Sequence, residues 1–232
     1  GGKNRAGLQG SPSVKRKILI VLCCFSLIVA GFGLYLRYQY QVPILMYHSL
    51  DAGRVDTYAA VSPQRFYEQM RFIARGYQAI SLIEYCRGLA GGRQFPKNTV
   101  VITFDDGHDD IMNAQRAIID FNIPVTIFVI VDKIGTEGYL GYDDIEALLE
   151  TGLVDVGSHT LSEAYLPEVE GERLRAEVAG SRIRLQRMFD EDILTFSYTI
   201  GGFDHRTVEE VKEAEQVGKA ALPHGEQFAA MV

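Results

Sequence analysis

Cysteine and proline are both scarce, and their placement excludes several classes of protein. Cys23 and Cys24 lie in an apolar run near the N-terminus, and Cys86 stands alone in the remainder of the chain. A single cysteine cannot form a disulfide within that remainder, and the chain contains no C-x-x-C metal motif. The seven prolines are spread over the chain, so no proline-rich linker divides it.

Acidic residues are absent from residues 1–37, which hold six basic residues, whereas the rest of the chain has 17 basic against 30 acidic residues. Such an acidic domain would repel a phosphate backbone, so we expect no nucleic-acid partner. The 232 residues, 47% of them hydrophobic and 23% charged, suffice for one globular domain with an appendage.

The longest uncharged run extends over residues 18–36 and directly follows Lys15-Arg16-Lys17. As a helix it would be about 28 Å long, close to the hydrocarbon thickness of a bilayer. Basic flanks stay cytoplasmic, which predicts a cytoplasmic tail over residues 1–17 and a transmembrane signal anchor over residues 18–36. A cleaved secretory signal is the alternative, although Ile28-Val29-Ala30 matches a cleavage site only weakly. A buried core helix is a third interpretation, but no face of the run is polar.

Beyond this run, strand-like and helix-like segments alternate. Apolar, β-branched runs typical of buried strands cover residues 42–48, 99–104, 124–130, 153–156 and 194–198. Helical periodicity covers residues 63–74, 113–121, 143–151, 172–188 and 206–216. Repeated β-then-α units predict a parallel sheet, either open or closed into a barrel. In both architectures the functional residues gather at the carboxyl ends of the strands.

Two adjacent carboxylates, Asp105 and Asp106, follow the most apolar strand and precede Gly107. Neighbours in a strand point to opposite sides, so both carboxylates can reach one site only where the strand ends, and Gly107 permits that turn. Such a pair persists when a cation or a proton satisfies it. The alternative is ordinary turn chemistry. The next two residues, His108 and Asp109, are expected to cap the following helix.

The second cluster is Gly157-Ser-His-Thr160, directly after another predicted strand, with Glu163 four residues beyond His159. A lone histidine at a strand end is often structural, and this one gains meaning only by pairing with Asp106. If the segment from Leu161 turns helically, positions 159 and 163 share a face. Asp106, His159 and Glu163 would then supply the three protein ligands of a catalytic metal.

Taken together, these segments resemble the polysaccharide deacetylases of carbohydrate esterase family 4, the NodB-homology family, over about residues 42–221. The segments that carry the resemblance, each weak alone but specific in this order, are residues 43–48, 61–66, 101–107, 124–129, 157–162, 196–198 and 201–204.

The resemblance implies a distorted (β/α) barrel that hydrolyses N-acetyl groups of an acetylated polysaccharide with a divalent metal, usually zinc. By matching positions, Asp105 would be the catalytic base, and Asp106 and His159 would be metal ligands. The backbone N–H of Ile200 would stabilise the oxyanion. An extracytoplasmic domain on a single-pass membrane anchor, or a secreted one after cleavage, suits such a polymer.

The chain departs from the family pattern at several places. Glu163 stands where the family has its second metal histidine, and Thr199 replaces a proline before the oxyanion position. The last strands and the leucine-x-histidine motif that supplies the general acid are missing, and His224 does not replace it. We therefore expect the domain, residues 42–232, to be a deacetylase barrel that is incomplete at its C-terminal end.

Further candidates and alternatives follow from the same segments. His48 ends the first strand and either contacts substrate or makes a structural hydrogen bond, and Tyr198 is a further candidate for substrate contact. An active de-N-acetylase acting on N-acetylglucosamine-type units is the first hypothesis, and a degenerate glycan-binding relative is the second. A phosphatase of the haloacid dehalogenase type needs Asp-x-Asp, which Gly107 excludes.

Overall fold

The structure, a computed structural model, describes residues 12–38, 41–51, 53, 60–219 and 229–231. The chain separates into two units, residues 1–41 and residues 42–232. Most of the predicted basic tail, residues 1–11, lies outside the described residues, and so does His224.

The first unit consists of one helix, α1, Pro12–Tyr38. Its segment Val14–Gly33 is 20 residues long with a mean hydropathy of 2.0, which is long and apolar enough to cross a membrane. None of that segment is buried, which argues against a core helix. A signal sequence near the N-terminus passes the same test of length and composition, so the predicted anchor and its cleaved alternative both remain.

The second unit is built on a parallel sheet. Its strands are β1 Ile44–Tyr47, β2 Gln78–Ala79, β3 Thr99–Phe104, β4 Val125–Val129, β5 Val154–Ser158, β6 Thr195–Ser197 and β7 Ala229–Met231. Hydrogen bonding connects them in the order β1-β3-β4-β5-β6-β7, and β2 pairs with the start of β3. Every pairing is parallel. Among the described residues β1 and β7 are the two ends of this path and do not pair with each other, so the curled sheet forms a half-barrel.

Helices connect the strands, as the alternation in the sequence predicts. Their bounds are α2 Pro63–Gly76, α3 Leu82–Ala90, α4 Gln115–Phe121, α5 Tyr142–Leu149, α6 Gly171–Arg175, α7 Ser181–Phe189 and α8 His205–Lys219. A π-helical turn, Ala176–Gly180, joins α6 to α7, so the long helix predicted over residues 172–188 is confirmed as one continuous element. The short α3 and the short strands β2 and β7 were not predicted.

The main core lies between one face of the sheet and the helices. On α2, the buried residues Phe66, Met70 and Ile73 follow the spacing of one helical face. On β3, Val100 and Phe104 belong to the same core. Burying each of the larger side chains stabilises the fold by about 1.5–3 kcal/mol. Alternate residues of each strand point to the opposite, concave face of the sheet.

A second core packs α6, the π-helical turn Ala176–Gly180 and α8 against β6. Beside it lies the fully buried Arg182, whose Nε donates to the Ile193 carbonyl at 2.8 Å and whose guanidinium also donates to the Ala214 carbonyl at 2.9 Å. These bonds tie α7 to α8 and to the residues that lead into β6. The start of β6 is therefore fixed relative to these two helices.

Candidate active site

The two adjacent carboxylates lie where β3 ends at the carboxyl edge of the sheet. The chain turns there through two left-handed residues, Asp106 at φ 71° and Gly107 at φ 74°. A Cβ on Gly107 would stand 3.0 Å from Cγ1 of Val129, so both the dihedral and the space favour glycine. The turn breaks the strand alternation and brings Asp105 and Asp106 to the same cleft.

Asp105 is the more buried of the two carboxylates, with 4% of its surface exposed. Ser197 Oγ donates a hydrogen bond to its Oδ2 at 3.1 Å, whereas its Oδ1 has no partner among the described residues. Burial raises the pKa of Asp105, and the charges of His159 and His48 and the Ser197 hydroxyl oppose that rise. A carboxylate with a raised pKa is a better base near neutral pH.

His159 follows β5 and faces Asp106 across the cleft. Its Nδ1 lies 2.9 Å from the backbone carbonyl of Ser197, and because a carbonyl only accepts, Nδ1 must carry the proton. In neutral imidazole this leaves Nε2 as the acceptor, 3.4 Å from Asp106 Oδ1. A backbone partner on the far nitrogen is the usual support for a metal-binding histidine.

The histidine and Asp106 influence each other's ionisation. Burial opposes a charge on the imidazole. In the charged form, however, Nε2 also carries a proton that it can donate to Asp106, and this contact and the two aspartate charges outweigh burial and raise the pKa of His159. Burial likewise opposes the charge on Asp106, yet the contact with His159 and the neighbouring histidine charges lower the pKa of that carboxyl. Asp106 is therefore ionised over a wide pH range, as a metal ligand needs to be.

Glu163 is placed differently from the expectation. The segment after His159 is not helical, because it bends at Leu161 and has positive φ at Thr160 (66°) and at Glu163 (64°). The expected helical face shared by His159 and Glu163 is therefore wrong. The Glu163 carboxylate instead binds Lys133, with Oε2 2.5 Å from Nζ.

Two of the three expected donors thus fit a divalent ion. Asp106 and His159 present a carboxylate oxygen and an imidazole nitrogen to each other, whereas Glu163 is engaged by an ammonium group. Within the described residues, no group of three His, Cys, Asp or Glu side chains is arranged to hold a metal ion. The ligand set that includes Glu163 stays a prediction.

His108 takes the N-cap position of the 3₁₀ segment Asp109–Ala114, and Asp109 is the first residue of that segment. The His108 side chain makes no capping hydrogen bond. The imidazole stacks on Tyr139, with ring centroids 5.0 Å apart, and its Nε2 lies 3.7 Å from Asp106 Oδ2. Asp106 therefore lies between two histidines, His108 on its outer side and His159 on its inner side.

The two substrate candidates, His48 and Tyr198, line the same cleft of about 580 Å³. The segment after His48 is fixed by the buried Asp110, which accepts hydrogen bonds from Ser49 Oγ at 2.6 Å and from the Leu50 N–H at 3.0 Å. Tyr198 is buried, and burial raises its pKa to about 12. Its hydroxyl has no hydrogen-bond partner among the described residues.

The backbone at Ile200 is strained. This β-branched residue has φ 57°, a conformation that is rare outside glycine and asparagine and costs about 1–3 kcal/mol. Its side chain is 79% exposed at the mouth of the cleft. The preceding Thr199 donates its hydroxyl to the Ala164 carbonyl, so the loop after β6 is tied to the loop after β5.

Three residues with clear roles in this arrangement were not assigned from the sequence: Ser197, Lys133 and Glu177. Ser197 ends β6, so the rule that places functional residues at strand ends could have indicated it. Glu177 accepts hydrogen bonds from the Leu161 and Ser162 N–H groups, both at 2.9 Å, and from Ser162 Oγ at 2.6 Å. Neither Lys133 nor Glu177 carries a local sequence signal, because each contacts a loop far away in the chain.

Known proteins resemble this chain over its second unit. The family profile described as Polysaccharide deacetylase matches residues 92–218, more than half of the chain. YxkH of Bacillus subtilis (strain 168), whose name assigns it to the polysaccharide deacetylases, is 28% identical over 180 residues. That alignment covers 77% of this chain and 62% of the relative.

Solved structures agree. The crystal structure of BC0361, a polysaccharide deacetylase from Bacillus cereus, is 28% identical with a TM-score of 0.67 and covers 75% of this chain and 56% of that one. The Streptococcus pyogenes deacetylase PplD, solved with acetate, has a TM-score of 0.70 at 22% identity and covers 75% of this chain and 80% of that one; this likeness shows the fold. The chain thus spans less than two thirds of the first two relatives.

The profile match lies where the geometry gathers its polar groups, since it includes Asp105, Asp106, His159 and Ser197. The half-barrel of this chain matches part of the fold of these solved structures. This chain belongs to the polysaccharide deacetylase family.

Proposed function

We propose that this chain removes N-acetyl groups from a cell-surface or extracellular polysaccharide built of N-acetylglucosamine-type units, with the help of a divalent metal such as zinc. Family membership supports deacetylation of a polysaccharide. The observation that carries the proposal is the convergence of Asp105, Asp106 and His159 in one cleft. These groups come from two different strand ends and have no evident structural need to meet.

Asp106 and His159 would hold the metal, and Asp105 would act as the base. The chemistry that such an ion supplies when bound is Lewis acidity toward an amide carbonyl and a lowered pKa of water. The partnerless Oδ1 of Asp105 would accept the proton of the attacking water. The Ser197 hydroxyl on Oδ2 keeps the carboxylate turned toward the cleft.

The remaining roles concern orientation and charge. The Ser197 carbonyl would keep His159 in the tautomer whose Nε2 can donate a lone pair. The N–H of Ile200, presented by its left-handed backbone, would donate to the developing oxyanion. His48 and Tyr198 line the cleft, which supports the proposal that they contact the sugar ring.

The location follows from α1. We propose that residues 18–36 anchor the chain in the membrane, with residues 1–17 cytoplasmic and the deacetylase domain, residues 42–232, outside. A helix of this length and hydropathy and its basic flank support this orientation. Proteolytic release would make the same domain a secreted protein.

A degenerate, glycan-binding function is the second candidate, because Glu163 pairs with Lys133 where a third metal ligand is expected. The deciding experiment incubates the purified full chain, in detergent and with zinc, with acetylated chitooligosaccharides and measures acetate release. Release that chelation abolishes supports the hydrolase. Glycan binding without any acetate release, at a measured full zinc occupancy, would support the second candidate instead.

A further inference from the structure

Lys133 binds the carboxylate of Glu163, with Nζ 2.5 Å from Oε2, and Glu163 lines the same cleft as Asp106 and His159. We infer that Lys133 competes with the divalent ion for the Glu163 carboxylate, so that the native site binds the ion through Asp106 and His159 alone. This inference rests on the proposed metal dependence. It makes Lys133 the residue that sets how tightly this chain binds its ion.

The first support is the number of contacts that hold the ammonium group. Nζ of Lys133 lies 2.5 Å from Glu163 Oε2 and 2.9 Å from the Tyr139 hydroxyl, to which it donates. The same Nζ lies 4.7 Å from the centroid of the Tyr139 ring. An exposed ion pair by itself contributes little, but the added hydrogen bond and the cation–π contact fix this lysine in place.

The second support is that Tyr139 is itself held. Its ring stacks on His108, and the backbones of Tyr139 and His108 form an isolated β-bridge. His108 in turn lies against the outer oxygen of Asp106. The contacts therefore run from the expected ligand Asp106 through His108, Tyr139 and Lys133 to Glu163, and none of them requires a metal.

The third support is the loop on which Glu163 lies. Positive φ angles at Thr160 and Glu163 and the three hydrogen bonds from Leu161 and Ser162 to Glu177 fix the backbone of this loop. The Glu163 side chain is 40% exposed and lines the cleft. Without Lys133, we expect the Glu163 side chain to be free to turn within the cleft while the backbone of this loop stays in place.

Competition follows from charge. A metal dication and the Lys133 ammonium repel each other at short range, and a carboxylate that satisfies the ammonium is a weaker donor to the metal. Removing the ammonium would free Glu163 to become a third protein ligand, the number that a catalytic zinc site normally has. We expect an affinity gain of about tenfold, the lower end of the effect that groups adjacent to a metal ligand have on metal affinity.

A double-mutant cycle tests the inference in the full chain in detergent. The dissociation constant of Co²⁺ is measured by calorimetry and by its visible absorption for the wild type, K133M, E163Q and the double variant. K133M is expected to bind Co²⁺ about tenfold more tightly. E163Q is expected to bind Co²⁺ no more tightly than the wild type, because it frees no ligand and leaves the Lys133 ammonium without its carboxylate. The double variant should lose the gain, because the neutral amide that E163Q introduces cannot replace the freed carboxylate.

Tyr139→Phe is the matched control, since it keeps the ring and removes only the hydroxyl bonded to Lys133. It should give a smaller gain than K133M. Thermal unfolding of each variant checks that it is folded. Unchanged binding by K133M, or a gain that is equally large in the double variant, would overturn the inference.

Failure of the inference and failure of the metal site give different results. Co²⁺ binding that Asp106→Asn abolishes, but that K133M does not alter, overturns the role of Lys133 and leaves the proposed function standing. No Co²⁺ binding by any of the variants, K133M included, overturns both.

Discussion

Ser197 Oγ lies 3.1 Å from the Asp105 carboxylate although the two residues are 92 positions apart in the chain. The carbonyl of the same serine accepts from His159. One residue at the end of β6 thus positions the proposed base with its side chain and the proposed metal ligand with its backbone. The two contacts can be separated by mutation, because only the first needs the hydroxyl.

Asp105→Asn should lower acetate release by at least about 100-fold, because the amide cannot accept a proton from water. The fold should persist, since burial already disfavours the charged form of Asp105. Acetate release at saturating zinc is the measurement. The control is Asp155→Asn, which changes a half-buried carboxyl that does not line the cleft and should retain activity. Equal losses in the two variants would contradict the assignment of Asp105.

Ser197→Ala should shift the acidic limb of the pH–rate profile to higher pH. Burial raises the pKa of Asp105, and the Ser197 hydrogen bond lowers it, so removing the hydroxyl raises the pKa further. A base works only when it is deprotonated, so activity is lost at a higher pH as the solution is acidified. The profile of kcat/KM against pH is compared with that of Thr195→Val, a β6 hydroxyl deletion away from Asp105. A shift toward lower pH would contradict the proposed role.

Glu177→Ala should destabilise the domain by about 1–3 kcal/mol, because it leaves the N–H groups of Leu161 and Ser162 without their acceptor. Urea unfolding gives the free energy, and hydrogen exchange at these two amides should accelerate more than elsewhere. The control is Glu172→Ala, at an exposed position of α6 just before the turn that carries Glu177. Its free energy of unfolding should stay within about 0.5 kcal/mol of the wild-type value. Unchanged protection at Leu161 and Ser162 would show that Glu177 does not hold this loop.

Gly107→Ala should destabilise the domain more than Gly92→Ala does. Both glycines have a left-handed φ, 74° and 71°, but a Cβ at position 107 would meet Val129 Cγ1 at 3.0 Å, whereas one at position 92 has nothing within 4 Å. The difference between the two losses of unfolding free energy isolates the steric cost of placing a Cβ against Val129, which we expect to be about 1–3 kcal/mol. The unfolding free energies of the two variants give this difference. Equal losses of unfolding free energy in the two variants would mean that Val129 moves away from the added Cβ without a measurable cost.

The sequence predicted most of the second unit because its signals are local. The β-branched run at Thr99–Phe104 became β3 with the predicted bounds, and the buried spacing of Phe66, Met70 and Ile73 placed the core face of α2. Short elements such as β2 escaped prediction, since two residues carry no periodicity. β2 forms because the start of β3 offers it a pairing edge.

The amino-acid sequence by itself determined that polar groups follow β3, β5 and β6, and in parallel strands such groups share one edge of the sheet. Only the tertiary structure decided their partners. The left-handed φ of Glu163 and the approach of Lys133, 30 positions earlier, depend on loop conformations that no local pattern encodes. Periodicity determines which face a side chain takes, whereas contacts between distant loops depend on the completed packing beneath them.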